Sequence, residues 1–460
     1  MVQLDFAGAC PAGKGFRTLA AMMVAGAALT AATGVSAQDR AKFEFWYGLP
    51  GELGEVVAKH CELFNASQDK YEAVCVGQGS YGKAEQNAIA AYRSNQSPTI
   101  VQIFDAGTVN FMLSGAIYPA NKFAQDFGLT IDWSDFFPGI ASYFATSKGE
   151  MWSFPYNSST AVFYWNKDQW AKIGKTKAPE TWAELGDDLK ALKAAGVECG
   201  FAFDFDTWLN LEQFAAINGI PFASLDNGYG GLGAELLINT PPFVEHMNLF
   251  KSWLDAGYAK IQTPQVGKTV VQAFADGSCA STHYSIALHG TVKNTQVAGL
   301  NWDVAMLPTL EAGKRANSIV GGASLWIMEG KSQAEYEAAA AFLNYVTAAD
   351  TGQKFLSENT GYIPATKSGY ELLKSQGFYN DPARQNRDIA IASLSVAEPT
   401  PLTRGIRLGN FTSIRGELRA ELEAAFTGQK DVQTALNDAA DRANAILRRY
   451  EQTYRGAPLP

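Results

Sequence analysis

The first part of the chain alternates between strand-like and helix-like patterns of apolar residues. Short apolar runs at residues 43–47, 71–76 and 99–104 are typical of buried strands. Between them, residues 56–64 place apolar side chains on one face at helical spacing, and residues 83–93 predict a second helix. This alternation predicts a parallel sheet whose two faces are covered by helices.

The rest of the chain returns to strands twice and then becomes helical. Residues 152–165, 304–308 and 319–327 predict strands, and helices dominate after residue 328, up to an amphipathic helix at residues 432–450. A single core seldom grows beyond about 250–300 residues. We therefore predict an α/β protein of two lobes, with several crossovers between them and a helix-rich second lobe.

The N-terminus carries the pattern of an export signal. Lys14 and Arg17 precede an apolar run at residues 19–29, and the small residues 35–37 follow it. This order is typical of a secretory signal peptide, and the apolar run is too short to cross a bilayer comfortably. We predict export and cleavage near Ala37.

These patterns also predict domain limits. Residues 1–37 form the leader, residues 38–148 and 277–328 form the first lobe, and residues 149–276 and 329–460 form the second lobe. A cleft between two lobes is the usual position of a small-molecule site in such a protein.

Composition and charge narrow the function. The 460 residues carry a net charge of -9, and no basic stripe is present, which argues against a nucleic acid as the main partner. The four histidines have no metal-ligand spacing, so neither a metal nor another cofactor is predicted.

Four cysteines lie beyond the leader, at Cys61, Cys75, Cys199 and Cys279. An even number in an exported protein is typical of disulfides, and four cysteines allow three pairings. Cys61 with Cys75 is the most local pair, which would leave Cys199 for Cys279. Buried free thiols are the alternative.

Several polar or glycine positions fall at the ends of predicted strands. Gly321 and Gly322 interrupt an apolar run, which indicates either a tight corner or a close backbone approach to a ligand. Tyr47, Tyr81 and Asp105 follow the strands of the first sheet. Ligands of parallel sheets bind beyond these carboxyl ends.

Two other motifs are candidates for a nucleotide site or a catalytic site. Residues 228–233 fit GxGxxG but follow no apolar strand, so a glycine-rich surface loop is the better interpretation. Asp204, Asp206 and Glu212 could supply paired carboxylates for hydrolysis. Nothing in the sequence fixes any two of them at a catalytic separation, and we predict a binding protein instead of an enzyme.

The segment 401–415 carries three arginines, Arg404, Arg407 and Arg415. A guanidinium offers planar paired donors that suit a phosphate or a carboxylate. The alternative is a set of solvated arginines at the start of a helix.

The chain resembles the periplasmic sn-glycerol-3-phosphate-binding proteins of ABC uptake systems, one branch of the extracellular solute-binding proteins. The resemblance covers essentially the whole mature chain. It implies a two-lobed periplasmic-binding-protein fold that closes on its ligand and delivers it to permease subunits in the inner membrane. The matching segments are Phe45-Trp46, Gly51-Glu-Leu-Gly54, Phe154-Pro-Tyr-Asn-Ser-Ser-Thr160, Tyr164, Asn166-Lys-Asp168, Gly321-Gly-Ala-Ser-Leu-Trp326, Thr360-Gly-Tyr-Ile-Pro364 and Gly405-Ile-Arg-Leu-Gly-Asn410.

The resemblance also implies a set of ligand contacts. Matched by position, these are Tyr81, Asp105, Ser159, Ser285, Gly322, Tyr362 and Arg415. Arg415, the Gly322 N–H and the hydroxyls of Ser285 and Tyr362 would bind the phosphate, and the remaining three would bind the glycerol hydroxyls. The residues that could line the cleft around a larger head group are Trp208, Phe205 and Tyr47.

Two departures from the family leave the ligand range open. Asp105 stands where the family usually has glutamate, and Phe205 stands where it can carry tryptophan. The ligand is then glycerol 3-phosphate or a glycerophosphodiester such as glycerophosphocholine. The alternatives are a receptor for a neutral oligosaccharide and an exported glycerophosphodiester hydrolase.

Overall fold

The computed structural model of the chain describes residues 40–384, 386–457 and 459, and the predicted leader lies outside them. None of the helices in these ranges is long and apolar enough to cross a membrane. The strands of the described residues are β1 Ala41–Tyr47, β2 Tyr71–Gly77, β3 Ile100–Phe104, β4 Ile117–Tyr118, β5 Phe154–Ser159, β6 Ala161–Asn166, β7 Phe201–Phe203, β8 Ala259–Ile261, β9 Ser281–Ser285, β10 Trp302–Ala305 and β11 Gly321–Met328.

The helices of the described residues range from single turns to the long C-terminal helix. They are α1 Gly51–Ser67, α2 Tyr81–Arg93, α3 Thr108–Leu113, α4 Ala120–Asp126, α5 Pro138–Phe144, α6 Lys167–Ala171, α7 Trp182–Ala194, α8 Gln213–Ile217, α9 Ser224–Asn227, α10 Pro241–Asp255, α11 Val270–Ala275, α12 His289–Thr295, α13 Gln333–Thr347, α14 Phe355–Asn359, α15 Lys367–Ser375, α16 Ile389–Leu394, α17 Phe411–Phe426 and α18 Val432–Thr453.

The first sheet has the strand order β2-β1-β3-β11-β4, and β5 also pairs with β11. β1 is parallel to β2 and β3, which confirms the predicted parallel start of the chain. β11 runs antiparallel to β3, with Ala323 opposite Phe104. The N-terminal end of β11 therefore lies at the same edge as the carboxyl end of β3.

The same edge receives the end of β5. Gly321 pairs with Ser159, the last residue of β5, and the chain then enters β6 of the second sheet. That sheet has the order β10-β6-β9-β7-β8. Ala161 at the start of β6 pairs with Ser285 at the end of β9. Strand ends from both sheets therefore lie together where the chain crosses between them.

Strand pairing differs from the predicted lobe limits in two places, and helix packing differs in a third. β9 and β10 fall within residues 277–328, which were predicted for the first lobe, but they pair in the second sheet. β5 was predicted for the second lobe but pairs with β11. Side chains of α13 and α16 join the core of the first sheet, although residues 329–460 were predicted for the second lobe. Local patterns identify these elements but do not encode their distant partners.

Both of the favoured cysteine pairs are disulfides in the structure. Cys61 in α1 is bonded to Cys75 in β2, and Cys199 is bonded to Cys279. The first bond holds a helix to the next strand, whereas the second joins positions 80 residues apart. Free thiols at these four positions are therefore excluded.

Two histidines, His246 and His283, are buried without a hydrogen-bond partner in the core around the second sheet. Neither ring nitrogen of His246 or His283 has a hydrogen-bond partner. Burial lowers the pKa of His283 to about 3, and burial, with the nearby His283, lowers the pKa of His246 well below its usual value. Both rings are therefore neutral in the folded protein at neutral pH.

These histidines predict a loss of stability in acid. Between pH 6.5 and 3 the unfolded chain binds a proton at His283 that the folded chain does not, so the free energy of unfolding falls as pH drops below 6.5. The loss at pH 5 is about 2 kcal/mol for one such histidine. Urea unfolding at pH 7.5 and 5.0 measures it. A His283→Phe variant should lose less stability between these pH values, and an equal loss would contradict the assignment.

Candidate functional site

A cavity of about 490 Å³ lies where the strand ends of the two sheets meet. Asp105 follows β3, Ser159 ends β5, Ser285 ends β9 and Gly322 is the second residue of β11. Arg415 reaches the same cavity from the second turn of α17. Residues that are far apart in the chain therefore line one cavity.

All the predicted ligand contacts line this cavity, namely Tyr81, Asp105, Ser159, Ser285, Gly322, Tyr362 and Arg415. Trp208 lines it as well. The structure brings these side chains together, and their role as ligand contacts stays a prediction.

Phe205 and Tyr47 lie outside the cavity lining, which corrects their predicted position. Phe205 is buried in the core around the second sheet, and its ring stacks on Phe426 with 6.4 Å between the ring centroids. The Tyr47 ring packs against Phe45 and covers Gly77. Both aromatic side chains are held by core packing, which sequence spacing does not distinguish from a cleft wall.

Arg415 is the charge centre of the cavity. Its Nε donates to Glu212 Oε1 at 2.8 Å, and its Nη2 donates to Glu212 Oε2 at 2.6 Å. The same Nη2 also donates to Asp105 Oδ2. The side chain of Arg415 is 15% exposed, that of Asp105 6% and that of Glu212 0%. One guanidinium thus holds two buried carboxylates, one from Asp105 and one from Glu212.

The start of α17 fixes the direction of Arg415. Asn410 adopts a left-handed conformation with φ 51°, and its N–H donates to Asn110 Oδ1 at 2.9 Å. Thr412 Oγ1 donates to the buried Glu85 at 2.7 Å. These bonds tie the first turn of α17 to α2 and α3, so the next turn projects Arg415 into the cavity.

Burial sets the protonation of the acids around Arg415. Desolvation raises the pKa of Glu212 to about 7 and raises the pKa of Asp105, and in both cases Arg415 opposes the rise. Burial, together with the charge of Asp206, raises the pKa of Asp204 to about 6. Isolated buried carboxylates favour the neutral form. Burial therefore favours the neutral form of these acids, and Arg415 favours the charged form of Glu212 and Asp105.

A hydrogen-bonded chain positions two of the tyrosines that line the cavity, Tyr81 and Tyr362. Gly48 N donates to Gln102 Oε1 at 2.8 Å, and Gln102 Nε2 donates to Asn157 Oδ1 at 2.8 Å. Asn157 Nδ2 then donates to the Tyr81 hydroxyl at 2.7 Å, which lies 3.5 Å from the Tyr362 hydroxyl. The Tyr81 hydroxyl already accepts a bond, so its proton is directed to another acceptor.

Two serines form a second polar wall across the meeting point of the sheets. Ser285 Oγ donates to Ser159 Oγ at 3.0 Å and accepts from Ala287 N at 3.2 Å. The Tyr164 hydroxyl donates to Ser285 O at 2.8 Å, which fixes the backbone below the hydroxyl. Ser159 Oγ accepts in this bond, so its own hydroxyl proton is left to donate elsewhere.

The paired glycines allow two close approaches. A Cβ on Gly321 would overlap the ring of Trp208, so this glycine lets the indole contact the backbone of β11. Gly322 has φ +101°, and a Cβ there would overlap the carbonyl oxygen of Asn157. The tight corner considered from the sequence is therefore present here, and the approach of a ligand to Gly322 stays a prediction.

Arg404 and Arg407 make contacts within the fold and do not face the cavity, in contrast to Arg415. The Arg404 guanidinium stacks 3.6 Å from the centroid of the Tyr229 ring. Arg407 is buried and donates to the carbonyl oxygens of Tyr143 and Ala145 at 3.1 and 2.8 Å. Neither of these two arginines lines the cavity.

Neither the position of Arg419 in the cavity nor the bond between Glu212 and Arg415 was predicted from the sequence. Arg419 lies one helical turn beyond Arg415 and lines the cavity. The spacing of four between these arginines places them on one helix face and could have indicated the second cation. Glu212 was considered only as a catalytic acid, whereas it binds Arg415. No cluster of side chains suited to a metal ion occurs within residues 40–384, 386–457 and 459.

Two α/β lobes, several crossovers and a cavity between the lobes with a few charged and hydroxyl groups define a two-lobed binding protein. Comparison with known proteins agrees with this class. The chain belongs to the family described as bacterial extracellular solute-binding protein, which matches residues 59–386.

Curated relatives match nearly the whole chain. The sn-glycerol-3-phosphate-binding periplasmic protein UgpB of Salmonella typhimurium is 38% identical over 416 residues, covering 89% of this chain and 93% of that protein. UgpB of Escherichia coli O1:K1 is 37% identical over 448 residues, covering 96% of this chain and 99% of that protein. The resemblance stated from the motifs is therefore confirmed.

Solved structures share the fold at lower identity. UgpB from Mycobacterium tuberculosis in complex with glycerophosphocholine has a TM-score of 0.71 at 21% identity, covering 89% of this chain and 99% of that chain. The GacH receptor of Streptomyces glaucescens, solved unliganded and with acarbose, has a TM-score of 0.71 at 19% identity, covering 88% and 98%. These likenesses confirm the predicted periplasmic-binding-protein fold.

Proposed function

We propose that this chain is a periplasmic solute-binding protein that captures sn-glycerol 3-phosphate or a glycerophosphodiester such as glycerophosphocholine. It would deliver this ligand to the permease subunits of an ABC importer in the inner membrane. The observation that carries the proposal is Arg415, a mostly buried cation that lines a cavity whose wall is rich in hydroxyls. The names of the relatives, which bind sn-glycerol 3-phosphate in the periplasm, support the same ligand.

The two ends of the ligand match two parts of the cavity. The phosphate would bind to the Arg415 guanidinium, the Gly322 N–H and the Ser285 and Tyr362 hydroxyls. A hydrogen bond to a charged group contributes about 1.5–3 kcal/mol. A few such bonds, less the cost of association, are consistent with micromolar or tighter binding, which corresponds to about -8 kcal/mol.

The glycerol end would bind to three groups that lie beside the phosphate-binding groups. Asp105 accepts from the glycerol hydroxyls, and Tyr81 and Ser159 supply hydroxyl protons. The cavity volume of about 490 Å³ lies within the roughly 300–1,000 Å³ of pockets that hold drug-sized ligands. A head group attached to the phosphate therefore has room beside Trp208, which supports phosphodiesters as ligands too.

The same cavity supports a receptor better than an enzyme. Glu212 is engaged by Arg415, and Asp206 accepts from the N–H of Trp208 at 2.9 Å at the start of a helical turn. Two acids considered for hydrolysis thus have structural partners. Hinge closure would exclude water and strengthen each charged contact.

A thermal-shift screen tests the proposed ligand class. A ligand that binds only the folded state raises stability by RT ln(1 + [L]/Kd). We expect glycerol 3-phosphate and glycerophosphocholine to raise the melting temperature and maltose to leave it unchanged. A shift with maltose alone would favour the oligosaccharide receptor, and turnover of glycerophosphocholine would show an enzyme.

Asp105→Asn is expected to separate hydroxyl recognition from phosphate recognition. Asparagine has the same side-chain shape as aspartate. It lacks the negative charge of the carboxylate that would accept from the glycerol hydroxyls and that pairs with Arg415. Affinity for glycerol 3-phosphate relative to inorganic phosphate should fall about tenfold, as expected for one charged hydrogen bond. Calorimetry with both ligands measures this ratio. An unchanged ratio would mean that Asp105 does not bind the hydroxyls.

A further inference from the structure

Arg415 has little capacity left for a phosphate that arrives with its own charge. Its Nε and Nη2 atoms are already bonded to Glu212, and Nη2 is bonded to Asp105 as well. A bound phosphate would be the third anionic group around one guanidinium, in a place where at most 15% of each of these side chains is exposed. Like charges that share a buried site cannot all remain ionised, and one pKa rises strongly.

Glu212 cannot relieve this charge by moving to water. Its side chain is 0% exposed and is held by both bonds from Arg415 and by Thr207 Oγ1 at 3.4 Å. Protonation is the remaining route, because a neutral carboxyl removes the repulsion and still accepts from the guanidinium.

We propose that capture of the ligand phosphate by Arg415 is coupled to uptake of a proton by the buried Asp105–Glu212 carboxylate pair. The step is a proton transfer from solvent, with no bond of the ligand formed or broken. It rests on the proposed function. The raised pKa of Glu212, about 7 because of burial, agrees with this direction.

The other charged or titratable groups around the pair do not cancel the added charge. Arg419 lines the cavity one turn beyond Arg415 and is exposed. Asp206 adds a negative charge that acts on both Asp105 and Glu212. Burial raises the pKa of the Tyr143 hydroxyl well above its usual value, so it stays neutral. The groups that act on the pair are Arg415 from α17, Asp206 from the segment after β7, Tyr143 from α5 and Tyr81 from α2. Arg415 also opposes the rise in the pKa of the buried Glu85 of α2.

The coupling gives binding a defined pH dependence. Above the pKa of the free pair, each bound ligand must draw a proton from solvent, so affinity falls as pH rises. For one proton the dissociation constant rises by up to about tenfold per pH unit. The expected window begins near pH 7, where burial holds the pKa of Glu212, and extends upward.

Calorimetry on the full chain at pH 8, in several buffers of different ionisation enthalpy, tests this inference. Glycerophosphocholine is the suitable probe, because its phosphodiester does not titrate there, whereas a phosphate monoester has a second pKa of about 6. The slope of observed enthalpy against buffer ionisation enthalpy counts protons. We expect about half to one proton taken up for each ligand bound.

Glu212→Gln should abolish most of this slope and flatten the dependence of affinity on pH. Glu421→Gln is the matched control, since Glu421 is a buried acid of α17 that pairs with Lys430 and Arg442 away from the cavity. It should keep the slope of the unmodified chain. If Glu212→Gln does not fold, Asp105→Asn takes its place and should reduce the slope.

The possible failures are distinguishable. Saturable binding with zero slope in the unmodified chain, or an unchanged slope in Glu212→Gln, would overturn the coupling and leave the proposed function intact. Absence of saturable binding of both glycerophosphocholine and glycerol 3-phosphate would overturn both.

Discussion

Arg415→Ala is expected to weaken binding of sn-glycerol 3-phosphate by about 1,000-fold. Two lost bonds between a guanidinium and a phosphate are together worth about 4 kcal/mol, and each 1.36 kcal/mol is a factor of ten in affinity. Alanine supplies no replacement donor in a cavity whose other cation, Arg419, lies at its exposed side. Titration calorimetry measures the change directly.

The same substitution also affects the fold, so its control is important. Removing Arg415 leaves Glu212 and Asp105 without their cation, and breaking a buried ion pair costs about 3–5 kcal/mol of stability. The double variant Arg415→Met with Glu212→Gln removes the charges of both residues. It should be more stable than Arg415→Ala and should still fail to bind sn-glycerol 3-phosphate. Arg448→Ala is the control variant, because Arg448 donates to the backbone oxygen of Ala234 outside the cavity. Binding by the double variant with unmodified affinity would remove Arg415 from the site.

Gly322→Ala should lower both stability and affinity. The position has φ +101°, and the added methyl would overlap Asn157 O. Strain and displacement together are expected to cost about 3 kcal/mol. Because Asn157 holds the Tyr81 hydroxyl at 2.7 Å, its displacement should also weaken ligand binding about tenfold or more. Urea unfolding and calorimetry measure the two effects.

Gly330→Ala provides the matched control for this prediction. Gly330 also has a left-handed conformation, with φ +81°, but an added Cβ there meets nothing within 4 Å. It should lose about 1 kcal/mol from backbone strain alone and keep its affinity. Equal losses in the two variants would mean that the contact with Asn157 contributes nothing.

Local sequence pattern predicted the elements better than their pairing. The parallel strands β1 to β3 follow from apolar runs separated by helical segments, because such short connections favour neighbouring strands. The antiparallel β11 joins the same sheet from more than 200 residues further along the chain. No local pattern encodes that pairing, which also explains why β5, β9 and β10 were predicted for the other lobe.

The candidate site shows the same division. Arg415 and Gly322 could be found because they lie in or near recognisable motifs. Glu212 looked like any acid in an aromatic region, and only the fold reveals that it faces Arg415. Phe205 and Tyr47 were predicted to line the cleft, yet core packing determines their position. An aromatic residue has the same local pattern in a core and in a cleft wall.

The most direct test of the proposed function is a crystal structure of the chain with bound sn-glycerol 3-phosphate. We expect the phosphate within hydrogen-bonding distance, about 3 Å, of both the Arg415 guanidinium and the Gly322 N–H, with the glycerol hydroxyls at Asp105. A ligand bound with its phosphate away from both Arg415 and Gly322 would contradict this function for the cavity.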